Sequence, residues 1–209
     1  MLLLGKEKNV QKFVFPSSAQ LYGRYPRYLP VDEKHPIEYT NNFYNTTKKF
    51  GEDLCISFYD RYGLPVIFFR MFNSFGPAQG REYLIPTIIH QSLERGVIEL
   101  WNEKPTRDFT YVSDTVQAFL KAAESAYCGG PINIGSGTET QVGDIARQIA
   151  SVLNAEIRFL NKEVIGSMQM CCDRSNAKKI LGWEPQVDFK DGLNKTITWF
   201  QNTLARPES

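Results

Sequence analysis

The chain has 209 residues, of which 42% are hydrophobic and 22% are charged, and its formal net charge is +1. This length is sufficient to bury a sizeable core, and the composition is that of a globular protein. The near-neutral charge favours neither nucleic acid nor an anionic membrane as a partner, and no apolar run reaches the about 18 residues of a membrane span. The four cysteines show no metal-binding spacing, so we expect reduced thiols, no metal site and a cytoplasmic protein.

The first half of the chain predicts alternating strands and helices. Residues 12–16 form an apolar run typical of a buried strand, which ends at two serines. Residues 23–42 are rich in Pro, Tyr and Asn and are predicted to be a loop. A helix is predicted over 42–61. The continuous apolar run 66–69 is expected for a strand covered on both faces.

The second half continues the alternation. The helix predicted to begin near 113 would be capped by Ser113 or Asp114. Alternating strands and helices favour an α/β fold with parallel strand pairing. Strands are predicted at 132–134 and 155–159, and helices at 86–95, 113–127, 141–153, 175–181 and 191–204.

One predicted helix carries a tyrosine and a lysine one turn apart, Tyr44 and Lys48. A free tyrosine has a pKa of about 10 and is a poor base at neutral pH, but a lysine at i+4 on the same face favours the phenolate. With a serine hydroxyl nearby, such as Ser18, the trio suits hydride chemistry at a secondary alcohol. The pair by itself is also compatible with a surface helix and a solvated lysine.

Six stretches in a fixed order carry a resemblance to a known family. They are FVFPSSAQLYG (13–23), YNTTK (44–48), RMFNSFGP (70–77), RDFTYVSD (107–114), NIGSG (133–137) and LGWEP (181–185). With them the chain resembles the C-terminal part of the extended short-chain dehydrogenase/reductases, the NAD-dependent nucleotide-sugar epimerase/dehydratase family typified by UDP-glucose 4-epimerase. The resemblance implies an α/β fold: the C-terminal part of a Rossmann-type parallel sheet with a smaller α/β substrate-binding lobe.

The family's glycine-rich turn, which seats the dinucleotide pyrophosphate at a helix N-terminus, has no counterpart here. The nearest stretch, GSGTET at 135–140, is interpreted as a turn between a strand and a helix. We therefore expect most of the NAD site to be missing and the chain alone to be inactive without an N-terminal half. The implied organisation is one truncated domain over 1–209, with the dinucleotide-binding sheet in 1–74 and 110–134, the substrate lobe in 75–109 and 135–190, and a C-terminal helix in 191–209.

The resemblance implies catalytic roles for three residues. Tyr44 corresponds to the base, and Lys48 to the partner that lowers its pKa and binds the nicotinamide ribose. Ser18 corresponds to the serine or threonine that shares the substrate hydroxyl, and its alternative is a serine that caps a turn. Ser17 is interpreted as structural, as are Asp108, Asp114, Asn133, Trp183 and Pro185.

Binding roles are implied for three further residues. Phe72 would approach the nicotinamide or belong to the core, and Asn73 would contact the substrate's diphosphate or sugar or stabilise a turn. Arg107 would pair with the diphosphate, where a planar guanidinium suits phosphate oxygens. A second phosphate-binding arginine of the family is missing or displaced, with Arg158 and Arg174 as the candidates.

Two positions narrow the implied reaction. The family's 4,6-dehydratases carry an Asp-Glu pair directly after the catalytic threonine, and its decarboxylases keep the Glu, whereas Ala19 and Gln20 stand here. The remaining chemistry is oxidation at C4 and re-reduction with NAD, or with NADP, on a nucleotide-diphosphate sugar, by a 4-epimerase or a reductase. The open alternative is a non-catalytic remnant or binding module.

The relatives usually dimerise through the helix that carries the tyrosine, so a homodimer is expected. The apolar stripe of that helix, Phe50, Leu54 and Phe58, is compatible with a dimer interface and equally with packing on the sheet.

Overall fold

The computed structural model describes residues 1–38, 42–164 and 167–204. In these ranges the helices are α1 (Leu2–Glu7), α2 (Phe43–Tyr62), α3 (Leu84–Arg95), α4 (Val112–Glu124), α5 (Val142–Leu153), α6 (Ser175–Leu181) and α7 (Phe189–Leu204). The strands are β1 (Phe13–Ser18), β2 (Val66–Met71), β3 (Asn73–Phe75), β4 (Val97–Leu100), β5 (Thr106–Tyr111), β6 (Pro131–Ile134), β7 (Glu139–Gln141) and β8 (Glu156–Phe159). A short 3-10 helix, Ala19–Tyr22, follows β1.

The first sheet has the order β1-β2-β6, and both strand pairs are parallel. The register places Ser18 opposite Met71 and Met71 opposite Ile134, so the three strands end at the same level. Ligands of α/β proteins bind outside the carboxyl ends of such strands. The shared edge is therefore where a site is expected.

Strand β2 is buried on both faces, as its continuous apolar run predicted. Val66 and Phe68 pack on one side with Cys55 of α2. Ile67 and Phe69 pack on the other side, in a cluster to which α4 and α6 contribute. Because side chains alternate along a strand, this division produces three layers, helix on sheet on helix. The α/β architecture of the first sheet is confirmed.

Helix α2 approaches β1 closely because it contains a glycine at the crossing. A Cβ atom added at Gly51 would lie 2.3 Å from the ring of Phe15. This contact brings the N-terminal half of α2, with its tyrosine and lysine, beside the end of β1.

The second region has its own strands and core. Strands β3, β5 and β7 form a sheet in which β5 is parallel to β3 and antiparallel to β7, and β4 pairs in parallel with β8. Helices α3, α5 and α7 pack together, and the boundaries of the two lobes stay a prediction. The buried residues of this core are Phe75, Ile85, Ile88, Ile89, Ile98, Leu100, Phe109, Val142, Ile145, Ala146, Ile149, Ala150, Leu193, Ile197 and Phe200.

Several local expectations differ from the structure. Strands β3, β4, β5 and β7 were not predicted. The prediction that Ser113 or Asp114 caps α4 is wrong, because the helix begins at Val112 with no side-chain cap. The Asp114 carboxylate instead accepts the N–H of Val187 at 3.0 Å. The structural interpretation of Asp114 is thus confirmed. Parts of the predicted loop (39–41), substrate lobe (165–166) and C-terminal helix (205–209) lie outside the described residues. None of the helices in the described ranges is long and apolar enough to cross a membrane.

Candidate functional site

A cavity of about 880 Å³ opens at the carboxyl edge of the first sheet. Its walls come from the end of β1, the start of α2, the segment that follows β2, and β5. The structure brings all six predicted site residues to this one cavity: Ser18, Tyr44, Lys48, Phe72, Asn73 and Arg107. Their individual roles stay predictions.

Tyr44 and Lys48 lie in the first turns of α2. The side chain of Asn42 caps this helix by accepting the N–H of Tyr44 at 2.8 Å. The Tyr44 side chain is accessible, with 45% of its surface exposed. The Lys48 Nζ atom lies 5.5 Å from the centre of the Tyr44 ring and donates to the carbonyl oxygen of Pro16 at 2.7 Å. The lysine therefore connects the tyrosine helix to the end of β1.

Ser18 is buried and lines the cavity. Its Oγ atom accepts the N–H of Gln20 at 3.2 Å, so it also caps the 3-10 helix. The two interpretations of Ser18 are compatible, because a hydroxyl that accepts one hydrogen bond still has its proton to donate. Ser17 donates to Glu52 Oε1 at 2.6 Å, which confirms its structural interpretation.

A buried ion pair lies behind the two serines and was not predicted. Arg70 on β2 donates from Nε and Nη2 to the two carboxylate oxygens of Glu52, at 3.0 and 2.8 Å. Its Nη1 donates to Tyr22 Oη at 3.2 Å, and Tyr22 donates to Asn133 at 2.6 Å. Burial raises the pKa of Tyr22 far above its ordinary value. The only sequence signal was a pair of charged residues, Glu52 and Arg70, beside otherwise apolar runs.

Arg107 lies on the opposite wall of the cavity, on β5. The hydrogen bond recorded for its guanidinium goes to the carbonyl oxygen of Thr106, at 2.8 Å. Burial lowers the pKa of Arg107, and within the described residues no acid in contact opposes this effect. Beside it, Asn73 donates from Nδ2 to the carbonyl oxygen of Asp108 at 3.1 Å. The Asp108 carboxylate accepts the N–H groups of a turn and of the segment before α6, as its structural interpretation predicts.

Phe72 is buried between the 3-10 helix and the segment 170–172, and one edge reaches the cavity. This position is compatible with both of its predicted roles. The candidates for a displaced phosphate-binding arginine are both wrong for this cavity, since neither lines it. Arg158 is exposed beside Glu156 on β8, and Arg174 donates to the carbonyl oxygen of Ser136 at 2.8 Å.

The charged side chains in the described lining of the cavity are all positive. Its described lining includes three cations, Arg24, Lys48 and Arg107, and no aspartate or glutamate. Sequence reasoning missed Arg24 because it lies in a loop with no motif. A concave site with cationic walls and a few polar groups suits an anionic ligand.

A parallel sheet that ends in a cavity lined by serine, tyrosine and lysine defines a Rossmann-type protein of the short-chain dehydrogenase/reductase class. A model of the NAD dependent epimerase/dehydratase family matches residues 1–135. The chain belongs to this family. Both the predicted family and the predicted fold class are confirmed.

Three relatives illustrate the similarity. An epimerase structure from Methanothermobacter thermautotrophicus has a TM-score of 0.91 and 27% identity, over 97% of this chain and 63% of that chain. The UDP-glucose 4-epimerase of Thermotoga maritima, solved with UDP-glucose, has a TM-score of 0.89 and 26% identity, over 97% and 67%. UDP-glucuronic acid decarboxylase 1 of Xenopus tropicalis is 31% identical, over 97% of this chain and 50% of that protein. The chain corresponds to the C-terminal part of these longer relatives.

Proposed function

We propose that this chain provides the substrate-binding and proton-transferring part of an NAD-dependent nucleotide-sugar 4-epimerase or reductase. One observation carries the proposal: Ser18, Tyr44 and Lys48 line a single cavity with Arg107, which is partly buried and has no acid in contact among the described residues. The first three residues suit proton transfer at a secondary alcohol, and the arginine suits an anionic group attached to it.

The proposed chemistry takes place at the C4 hydroxyl of the bound sugar. The Tyr44 phenolate accepts the hydroxyl proton while the Ser18 hydroxyl donates a hydrogen bond to the same oxygen. NAD, when bound, supplies the acceptor and later the donor of hydride. Tyr44 returns the proton when the C4 ketone is reduced. Reduction on the opposite face of the sugar gives the epimer, and reduction of a keto-sugar made elsewhere is the reductase reaction.

The residues present fit one end of the cofactor. Lys48 and Tyr44 lie at an accessible edge of the cavity beside the end of β1, and Phe72 presents an aromatic edge to the same space. Lys48 would hold the ribose hydroxyls and Phe72 would flank the nicotinamide. Since the sequence lacks the glycine-rich turn that seats the pyrophosphate, this chain would hold the nicotinamide end only, of NAD or of NADP.

The cavity walls favour an epimerase or reductase over a dehydratase. Ala19 and Gln20 form the start of the 3-10 helix at the cavity, and the described lining has no carboxylic acid. Elimination of water from a sugar requires a positioned acid and base, whereas oxidation and re-reduction at C4 require only the tyrosine, the serine and the lysine. The cationic walls in turn suit the diphosphate of a nucleotide sugar, the ligand type found in the Thermotoga maritima structure.

The first test is a calorimetric titration of NAD⁺ into the 209-residue protein, with Lys48→Ala beside it. We expect binding that weakens in the variant. Conversion of a UDP-sugar in the presence of NAD⁺, followed by NMR and lost in Tyr44→Phe, would establish the activity. Binding of UDP-sugars without cofactor binding or turnover would favour the alternative, a non-catalytic binding module of the same fold.

We also infer that α2 forms a homodimer interface. Its apolar stripe is divided: Cys55 and Phe58 pack toward the sheet, while Phe43, Phe50 and Leu54 point to solvent. Phe50 alone leaves 62% of its surface exposed. Exposed apolar side chains on one helix face favour association.

Light scattering after gel filtration tests this inference. Phe50→Glu should convert a dimer to a monomer, while Val152→Glu, at an exposed position on α5, should not. A monomeric unsubstituted protein would contradict the inference.

A further inference from the structure

Arg24 is a second guanidinium on the cavity wall. It follows Gly23, whose φ of +89° belongs to the left-handed region that favours glycine. This turn ends the 3-10 helix that begins beside Ser18, so Arg24 is carried to the cavity on the same stretch of chain as the predicted catalytic serine.

The guanidinium of Arg24 is held in place by the protein, but the described residues do not supply hydrogen-bond partners for all of its donors. Its Nη2 atom donates to the carbonyl oxygen of Val164 at 2.5 Å. Its Nε–H is buried and has no hydrogen-bond partner in the described part of the chain. A buried donor without a partner is costly in free energy, so the protein alone does not satisfy this guanidinium.

The charge of Arg24 is also poorly compensated. Its ion-pair partner is Glu163, at 3.5 Å, and the side chain of that glutamate is 87% exposed. An ion pair so open to water contributes little. Arg24 thus resembles Arg107, since each places a positive charge on the cavity wall without a buried acid beside it.

The backbone links the neighbourhoods of these two arginines through one residue, Met168. The N–H of Met168 donates to the carbonyl oxygen of Arg24 at 3.2 Å, and the N–H of Thr106 donates to the carbonyl oxygen of Met168 at 2.9 Å. These two bonds hold both arginine positions close to the same residue, and both arginines line the same cavity. Long side chains from both positions can contact one diphosphate.

We propose that Arg24 binds the substrate's diphosphate together with Arg107. This inference rests on the proposed function and adds a residue to it: the second phosphate-binding arginine is supplied from the loop after β1, not by Arg158 or Arg174. The Arg24 guanidinium donates to a phosphate oxygen while Nη2 keeps its bond to Val164, so the arginine is already oriented before the ligand arrives.

The test measures binding of UDP to the 209-residue protein by calorimetry. Arg24→Gln should weaken UDP binding at least about tenfold, because a charge-assisted hydrogen bond is lost. Arg24→Lys keeps the charge but lacks the planar guanidinium and should recover only part of the affinity. Arg158→Gln is the matched control and should bind UDP as the unsubstituted protein does. The melting temperature of each variant establishes that it is folded.

Each other outcome has a distinct meaning. Unchanged UDP affinity in Arg24→Gln, with a loss in Arg107→Gln, would overturn the role of Arg24 and leave the proposed function intact. A loss seen with UDP-glucuronate but not with UDP would also overturn it, because Arg24 would then bind a sugar carboxylate. Absence of UDP binding by the unsubstituted protein would overturn both this inference and the nucleotide-sugar substrate of the proposed function.

Discussion

Two arginines near the cavity, the buried Arg70 and the partly buried Arg107, have opposite environments. Arg70 on the first sheet donates three hydrogen bonds to side chains, two of them to the carboxylate of Glu52. Burial disfavours its cation, yet the bonds and charge of Glu52 keep the pKa of Arg70 above its ordinary value. Arg107 on β5 is partly buried with no acid in contact among the described residues, and this burial lowers its pKa.

The comparison separates a structural charge from a binding charge. A buried ion pair whose donors and acceptors are all used has nothing left to offer a ligand, although breaking it is costly. A buried cation without a partner reduces stability and is compensated when an anion binds. The Arg70 side therefore supports the two serines, whereas the Arg107 side is arranged for the ligand.

The largest expected effect is on the Arg70 side. Glu52→Gln leaves the arginine buried without a counter-charge, so the free energy of unfolding should fall by about 3–5 kcal/mol. Urea denaturation measures this change. The matched control is Glu156→Gln, which breaks the exposed pair with Arg158 and should cost less than about 1 kcal/mol. Equal effects of the two substitutions would contradict the comparison.

A substitution of Arg107 should affect ligand affinity more than stability. Arg107→Met removes a partly buried cation that has no acid in contact and keeps an unbranched side chain, so the free energy of unfolding should stay within about 1 kcal/mol of the original value or rise. UDP affinity should fall about tenfold or more, as judged by calorimetry. A variant that loses stability as Glu52→Gln does would show that Arg107 is structural.

A smaller effect tests how tightly the first sheet is packed. Alanine in a helix is favoured over glycine by about 1 kcal/mol, but a Cβ at position 51 would overlap the ring of Phe15. Overpacking costs about 1–3 kcal/mol, so Gly51→Ala should be destabilising by up to about 2 kcal/mol net. Ser57→Ala, at an exposed position on the same helix, should be neutral in the same denaturation experiment. A stabilising Gly51→Ala would mean that α2 can move away from β1.

The smallest effect concerns two thiols, one near each arginine. Burial, with the charge of Glu52, raises the pKa of Cys55 to about 11, and burial, with Asp108, raises that of Cys171 to about 11. A thiol whose pKa is about 11 instead of about 9 holds about a hundredth of the thiolate at pH 8. Alkylation by iodoacetamide at pH 8 should therefore be about 100-fold slower at both sites than in the urea-unfolded chain, and should accelerate as the pH rises toward 11.

Mass spectrometry of peptides resolves the two sites. In Glu52→Gln, alkylation of Cys55 should become faster while Cys171 is unchanged, since only the first thiol loses a neighbouring negative charge. Fast alkylation of both thiols in the unsubstituted protein would be inconsistent with the described burial.

Sequence by itself determined the features that depend on local periodicity. The apolar run of β2, the long helix α2 and the one-turn spacing of Tyr44 and Lys48 all follow from neighbouring residues, and so does the alternation that defines the α/β class. Strands β3 and β7 have three residues each, too few to show a period, and strand pairing from distant parts of the chain creates them.

Tertiary structure decided what each charged or apolar side chain faces. Arg70 lies near the end of one strand and Arg107 near the start of another. Only folding places Glu52 against Arg70 and the cavity against Arg107. Phe50 and Cys55 belong to one helical stripe, yet only the position of the sheet exposes the former and buries the latter. Arg24 joins the site through backbone bonds to a segment more than a hundred residues away, a contact that no local pattern encodes.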